Sequence, residues 1–352
     1  MRHLRDKAGV MSESRTVLSV SSGFLRFLCV SGFVASSVAL AGGSNYNVTP
    51  GALPVVKGQV TEWDVPTPKF ARDPAPAPDG TMYITVMQGD KIARFDPATK
   101  KFREWDLPAG ARPHGLVVDK SGIVFYTGNG NGTIGRLDPA SGKVTEYKTS
   151  SSGSGPHTII QAADGTLWFT MQSADRIGRL DPASGKLTEY ETRGGPYGLA
   201  IARDGAVWFC ELSGHRLGRL DPATGRITEV EQPRGSGPRR VAANADGSIL
   251  WFAYYGSNEL VKFDPIAQKI LKKYPLPAGR GGGAYAVTVD GADHPWVDEI
   301  SGNTVIRLDP ATEKMQVIKL PTPNTGIRKM IVAADGRLWY MGSHVGKIGV
   351  IE

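Results

Sequence analysis

Residues 155–190 read GPHTIIQAADGTLWFTMQSADRIGRLDPASGKLTEY, and the stretch divides into four short pieces. His157 to Ala162 is mainly apolar and runs to the turn pair Asp164-Gly165. Thr166 to Thr170 is β-branched and aromatic. Arg176 to Leu180 alternates polar with apolar side chains, and Lys186 to Tyr190 alternates again after the turn Asp181-Pro182-Ala183-Ser184-Gly185. Period-two patterning bounded by Gly, Pro and Asp specifies consecutive antiparallel strands. The stretch reads as a four-stranded meander.

The unit recurs in both directions. Its central aromatic falls at Tyr83, Phe125, Trp168, Trp208, Trp251, Trp296 and Trp339, at spacings of 42, 43, 40, 43, 45 and 43. The Asp-Pro turn returns at Asp96, Asp138, Asp181, Asp221, Asp264 and Asp309. A repeat of this length with four strands per unit predicts a β-propeller, because one such sheet cannot bury its apolar faces alone and must stack on its neighbours. The seventh unit runs only to its third strand, Lys347 to Glu352, and the missing fourth appears at the other end as Gln59-Val60-Thr61-Glu62-Trp63. The expectation is an all-β, seven-bladed propeller over residues 59–352, closed by an N-terminal strand that leaves no exposed sheet edge.

Residues 1–41 carry a different pattern. Arg2, Arg5, Lys7 and Arg15 precede an apolar run from Phe27 to Leu40 that ends in Ala39-Leu40-Ala41. This is the pattern of a secretory signal peptide cut after Ala41, and the run is too short to span a bilayer. Export to the periplasm or the medium follows, with no membrane span after cleavage. Residues 42–58, rich in Gly, Asn and Pro, read as a linker.

Of 41 basic and 34 acidic residues, five and two fall in residues 1–41, which leaves 36 against 32 in the remainder. These charges are interspersed without a basic run, so nucleic acid is not an expected partner. Cys210 is the one cysteine beyond residue 41; no intramolecular disulfide is possible, and the residue reads as a small buried filler. A monomer is expected.

Two positions per unit are placed by the repeat at one mouth of the central channel. The first lies 11 residues before the central aromatic (12 in the fifth unit) and reads Arg72, His114, His157, Tyr197, Arg239, Tyr285 and Arg328. The second, three residues after the aromatic, reads Val86, Gly128, Met171, Glu211, Tyr254, Glu299 and Gly342. Variation at fixed places on a repetitive scaffold marks where function is grafted. The first ring is polar or aromatic throughout, and its arginines suit a carboxylate or phosphate. Arg72, Tyr197, Glu211, Arg239, Tyr254, Tyr285, Glu299 and Arg328 are therefore candidate ligand-binding residues. His114 and His157, in neighbouring units, are the candidate catalytic pair if one serves as base and the other orients it. A wet channel that accepts polar residues for no special reason is the plainer alternative.

The units built on Leu167–Thr170 (LWFT), Ile177–Pro182 (IGRLDP) and Gly185–Tyr190 (GKLTEY), with the tripeptides Pro113-His114-Gly115 and Pro196-Tyr197-Gly198, resemble the virginiamycin B (streptogramin B) lyase family. The resemblance spans residues 59–352. It implies opening of a streptogramin B lactone by elimination with Mg²⁺, through a His in each of the last two blades and two Glu in the last blade. The corresponding positions here are Tyr285 and Arg328 for the histidines and Gly326 and Ser343 for the glutamates. In the register of the Pro-His pair His114 and His157, the carboxylate positions are Gly155 and Gln172. Neither register offers the oxygen ligands that Mg²⁺ takes, so no metal ligand and no cofactor is expected, with Mg²⁺ the cofactor only on the lyase reading.

Two functions compete at this stage. One is a binding module that holds a small anionic ligand at the channel mouth. The other is an active lyase or lactone-opening enzyme acting on a cyclic ester, with His114 or His157 as base. A six-bladed lactonase with Ca²⁺ is a third, which seven repeats oppose.

Overall fold

The computed structural model describes residues 48–352, so the signal segment 1–41 and the start of the linker lie outside the described residues. Seven four-stranded antiparallel sheets follow one another along the chain. Six are simple meanders: blade one at 71–106, two at 113–148, three at 156–191, four at 196–231, five at 238–275 and six at 284–319. Blade seven combines Ile327–Val332, Leu338–Gly342 and Lys347–Ile351 with the N-terminal strand Val60–Asp64 as its fourth member. There Val60 faces Ile351 and Trp63 faces Ile348. The first strand of each blade touches the first strand of the next, all the way from blade one to blade seven and back to blade one. The molecule is a closed seven-bladed β-propeller whose first strands line the channel. Among the described residues the helical elements are two three-residue 3₁₀ turns, and no helix is long and apolar enough to cross a membrane.

The repeated residues have local causes. Each Asp-Pro turn is closed by the aspartate, whose Oδ1 accepts the N–H two residues on, at 3.0 Å from Ala140 and 2.9 Å from Ala223. Proline fixes φ for the first corner of that turn. In IGRL the glycine is required by packing: a Cβ on Gly178 would lie 2.1 Å from Cζ of Phe169, and one on Gly218 would lie 2.1 Å from Cζ of Phe209. The aromatic ring of the second strand thus lies over the third strand, where the side chain is missing.

Residues 48–58 form no strand but lie against blades six and seven. Gly51 N donates to Ala333 O at 3.0 Å, Gly291 N donates to Gly51 O at 2.7 Å, and Gln316 Nε2 donates to Val56 O at 2.8 Å. Val56 is buried with Ile318 and Leu320.

One feature of the first strands positions the site. In every blade the pairing of strand one with strand two slips where the candidate ring residue sits, for example between Pro113 and Leu116 or between Pro196 and Leu199. Such a bulge re-aims a side chain out of the sheet. In blades one to three a threonine then ties down the bulge of the next blade. Thr85 Oγ1 donates to His114 O at 2.7 Å, Thr127 Oγ1 to His157 O at 2.9 Å and Thr170 Oγ1 to Tyr197 O at 3.0 Å.

Candidate functional site

The seven residues of the first ring meet at one end of the channel. The Arg72 guanidinium bonds to His114 Nε2. The His114 ring lies 3.6 Å from that of His157, and His157 lies 4.1 Å from Tyr197, centroid to centroid. The Tyr197 and Tyr285 hydroxyls are bonded to each other. Arg239 Nη2 donates to both hydroxyls at 3.0 Å, and Arg328 Nη1 donates to Tyr285 Oη at 3.1 Å. Arg72 and Arg328 close the circle by stacking on one ring, with Cζ 5.2 Å and 5.4 Å from the centroid of Phe70.

The two histidines are neutral here. Burial, then the charge of Arg72, holds His114 well below the usual imidazole range, and burial, then Arg240, does the same for His157. An arginine can only donate, so His114 Nε2 accepts and its proton sits on Nδ1. The basic nitrogen of His114 is thus already engaged. His344, which the repeat did not place at the mouth, joins the ring from the last hairpin: its Nε2 accepts from Arg328 Nη2 at 3.2 Å and its Nδ1 bonds to Asn324 Oδ1 at 3.1 Å.

Tyr285 stands at the electrostatic centre. Burial alone would push its phenol up, but Arg72, Arg239, Arg240 and Arg328 outweigh that and bring it down to about 7. Tyr197 is raised, by burial and then by the charge on Tyr285. Asp298, at the position where other blades carry the bridging threonine, accepts from Ala286 N at 2.6 Å, and burial pushes its carboxyl well above the usual range.

A second layer lies one residue further along each first strand: Asp73, Gly115, Thr158, Gly198, Arg240, Ala286 and Lys329. Asp73, Thr158, Arg240 and Lys329 are all buried. Sequence reasoning passed over this layer because buried first strands read as apolar. The signal was present as the doublets Arg239-Arg240 and Arg328-Lys329 inside otherwise apolar strands.

A model of the virginiamycin B lyase family matches residues 52–194 and 110–352. The chain belongs to the virginiamycin B lyase family. Among solved structures, one described as a streptogramin B lyase shares 26% identity and superposes with a TM-score of 0.77, over 84% of this chain and 97% of that one. A catalytically inactive virginiamycin B lyase from Staphylococcus aureus with quinupristin shares 25% identity at a TM-score of 0.74, covering 83% of this chain and 98% of that one. Hydrazine synthase from Kuenenia stuttgartiensis, at 16% identity and a TM-score of 0.71 over 85% of this chain and 99% of that one, shares the fold. No curated protein sequence matches.

The positions where family membership implies histidines and glutamates are now visible in space. Tyr285 and Arg328, the positions for which the sequence resemblance implies histidines, are bonded to each other. Gly326 has a φ of +65°, and a Cβ there would lie 2.4 Å from the His344 ring, so a glutamate does not fit without displacing that ring. Among the described residues, no group of three or more His, Cys, Asp or Glu side chains could hold a metal ion.

The second candidate ring does not join the first. Glu211 Oε2 accepts from Arg216 Nε at 2.6 Å. Tyr254 Oη donates to Gln232 Oε1 at 2.6 Å. Glu299 accepts from Asn258 Nδ2 at 2.7 Å, Ala278 N at 2.8 Å and Thr304 Oγ1 at 2.9 Å. Among the described residues, no hydrogen bond or ion pair links these three to the mouth.

Proposed function

We propose that this virginiamycin B lyase family member binds a small anionic ligand, a carboxylate or phosphate, at the mouth of its channel, without the metal-assisted lactone opening that family resemblance implies. The observation that carries the reading is the cationic ring. Arg72, Arg239 and Arg328 converge around Tyr285, and none of them forms an ion pair with a carboxylate among the described residues. The one anion these cations can share is the Tyr285 phenol once it ionises, so positive charge remains in excess, and a buried or half-buried charge short of counter-charge costs several kcal/mol, on the order of what a bound anion returns. Mg²⁺ does not fit the same place: the residues in family register are a phenol, a guanidinium, a glycine and a serine, and a dication beside three arginines is repelled. No step is therefore routed through a metal. Lyase activity is the weaker reading because the basic nitrogen of His114 is already held by Arg72, and burial with nearby arginines depresses the basicity of both histidines. The signal-like segment 1–41 supports export to the periplasm or medium.

The test is calorimetric titration of phosphate and succinate into wild type and Arg328→Ala. Loss of one charge-assisted hydrogen-bonding partner, about 1.5–3 kcal/mol, weakens binding roughly tenfold or more, and EDTA leaves the wild-type affinity unchanged. Equal affinities in the two proteins, or no binding to either, removes the anion reading. EDTA-sensitive linearisation of a streptogramin B restores the lyase.

A further inference from the structure

We propose that the channel holds a second anion site beneath the ring, for a monoanion of a few atoms, built on the guanidinium of Arg240 with Lys329 beside it. This site goes beyond the mouth ligand and stands on other residues. Arg240 is 3% exposed. It reaches from blade five across the channel to blade three, where Nη1 donates to Thr158 Oγ1 at 2.7 Å, and its Cζ lies 5.1 Å from the Tyr197 ring. The two remaining nitrogens, Nε and Nη2, are buried without a hydrogen-bond partner among the described residues. Those two share one edge of the guanidinium plane, the fork that takes an oxyanion side-on through two parallel N–H bonds. A buried fork with no protein partner is a costly arrangement, since each unsatisfied buried polar group costs on the order of 1–3 kcal/mol and charged ones more.

Charge fixes the class of ligand. Lys329 is 5% exposed, and burial, then the charge of Arg240, brings its ammonium down to about 8, against an opposing pull from Asp73. At neutral pH it is still mostly cationic. Asp73, 2% exposed, is the carboxylate of this layer, and its Oδ1 has no partner. Two cations against one carboxylate leave a single excess positive charge, which one halide, nitrate or formate neutralises and a dianion overshoots. The layer offers no further side chain larger than a methyl, because blades two, four and six contribute Gly115, Gly198 and Ala286. The mouth differs in degree: Arg239 and Arg328 are partly exposed and Arg72 is buried, each already donates to a histidine or a tyrosine, and each leaves only its Nε buried without a partner among the described residues, whereas Arg240 leaves both Nε and Nη2.

Bromide is the probe. Crystals of the protein soaked in sodium bromide are expected to show an anomalous peak within about 3.5 Å of Arg240 Nε and Nη2. In solution, Asp73→Asn is expected to lower the bromide concentration needed for half-saturation several-fold. Arg240→Lys, which keeps the charge and loses the fork, raises it about tenfold. Arg328→Ala leaves the bromide peak at Arg240 in place while weakening phosphate at the mouth. Arg240→Met is the complete deletion, and Arg240→Lys keeps the test open if that variant does not fold. A peak only beside Arg328 and Arg239 overturns the inner site and leaves the mouth reading intact. No peak at Arg240 at saturating bromide, or a peak that persists unchanged in Arg240→Lys, also overturns it.

Discussion

Replacing Tyr285 by Phe removes one oxygen from the centre of the ring, and the consequence can be worked out from donors and acceptors. Arg239 and Arg328 both donate to Tyr285 Oη, and Arg239 also donates to Tyr197 Oη. A guanidinium has no acceptor. Of the two phenol protons, one lies on the bond between the tyrosines, and the other is left facing cations. Loss of that second proton is favoured by the groups around it: Arg72, Arg239, Arg240 and Arg328. The Tyr285 phenol accordingly falls to about 7, some three units below an ordinary tyrosine, or about 4 kcal/mol of net interaction favouring the phenolate. The assay is a pH titration followed by the near-ultraviolet difference absorbance of tyrosinate. One of the eleven tyrosines should ionise near pH 7 in wild type, and Tyr285→Phe should lack that step. The pair titrates as a unit, so the step belongs to Tyr197 and Tyr285 together. Linkage has a definite sign. A phenol lowered on folding adds stability that is absent below pH 7, grows as pH rises through 7 and is complete above the unfolded value near 10. Lys329, also lowered, titrates within the same window but does not absorb, which is why the optical readout decides. Absence of any tyrosine ionisation below about pH 9, or survival of the early step in Tyr285→Phe, refutes the reasoning.

Two further predictions concern the scaffold. Deleting residues 59–63 removes the pairing of Val60–Trp63 with Ile348–Ile351 and the contacts of Trp63 with Phe95 and Trp339, at 4.9 Å and 6.1 Å between centroids. It should lower the melting temperature by many degrees, since loss of a large partly buried aromatic alone costs about 3 kcal/mol, and an unchanged melt contradicts closure by this strand. Gly178→Ala places a methyl 2.1 Å from Cζ of Phe169 and should destabilise by roughly 1–3 kcal/mol in denaturant titration; a neutral substitution would show that the ring is free to move aside.

The fold was legible because its causes are local and repeat. Alternation and the Asp-Pro corner recur in nearly every unit, a glycine under an aromatic ring recurs in four (Gly135, Gly178, Gly218 and Gly349), and the incomplete seventh unit pointed to its own missing strand. The first ring was legible for the same reason, since the bulge aims the residue at one register position in each blade. Glu211, Tyr254 and Glu299 were placed at the mouth because strand two returns to the same face. Strand two, however, lies one strand further from the axis, and each of these side chains finds a closer partner in its own or a neighbouring loop. Arg240 and Lys329 were missed because a charged residue at the second position of a buried strand contradicts the apolar pattern, and only packing around the channel gives it a place. His344 depends on a hairpin geometry that no periodicity encodes.

The central claim is that the arginine ring at the channel mouth is an anion site, and the most direct measurement is a crystal structure of the protein grown with succinate or phosphate. The account predicts the anion in contact with the Arg328 and Arg72 guanidiniums, at hydrogen-bond distances of about 2.7–3.0 Å, above Tyr285 and with no metal ion beside it. Density for water alone at the ring under saturating ligand, or the anion bound elsewhere with the ring unchanged, would contradict it.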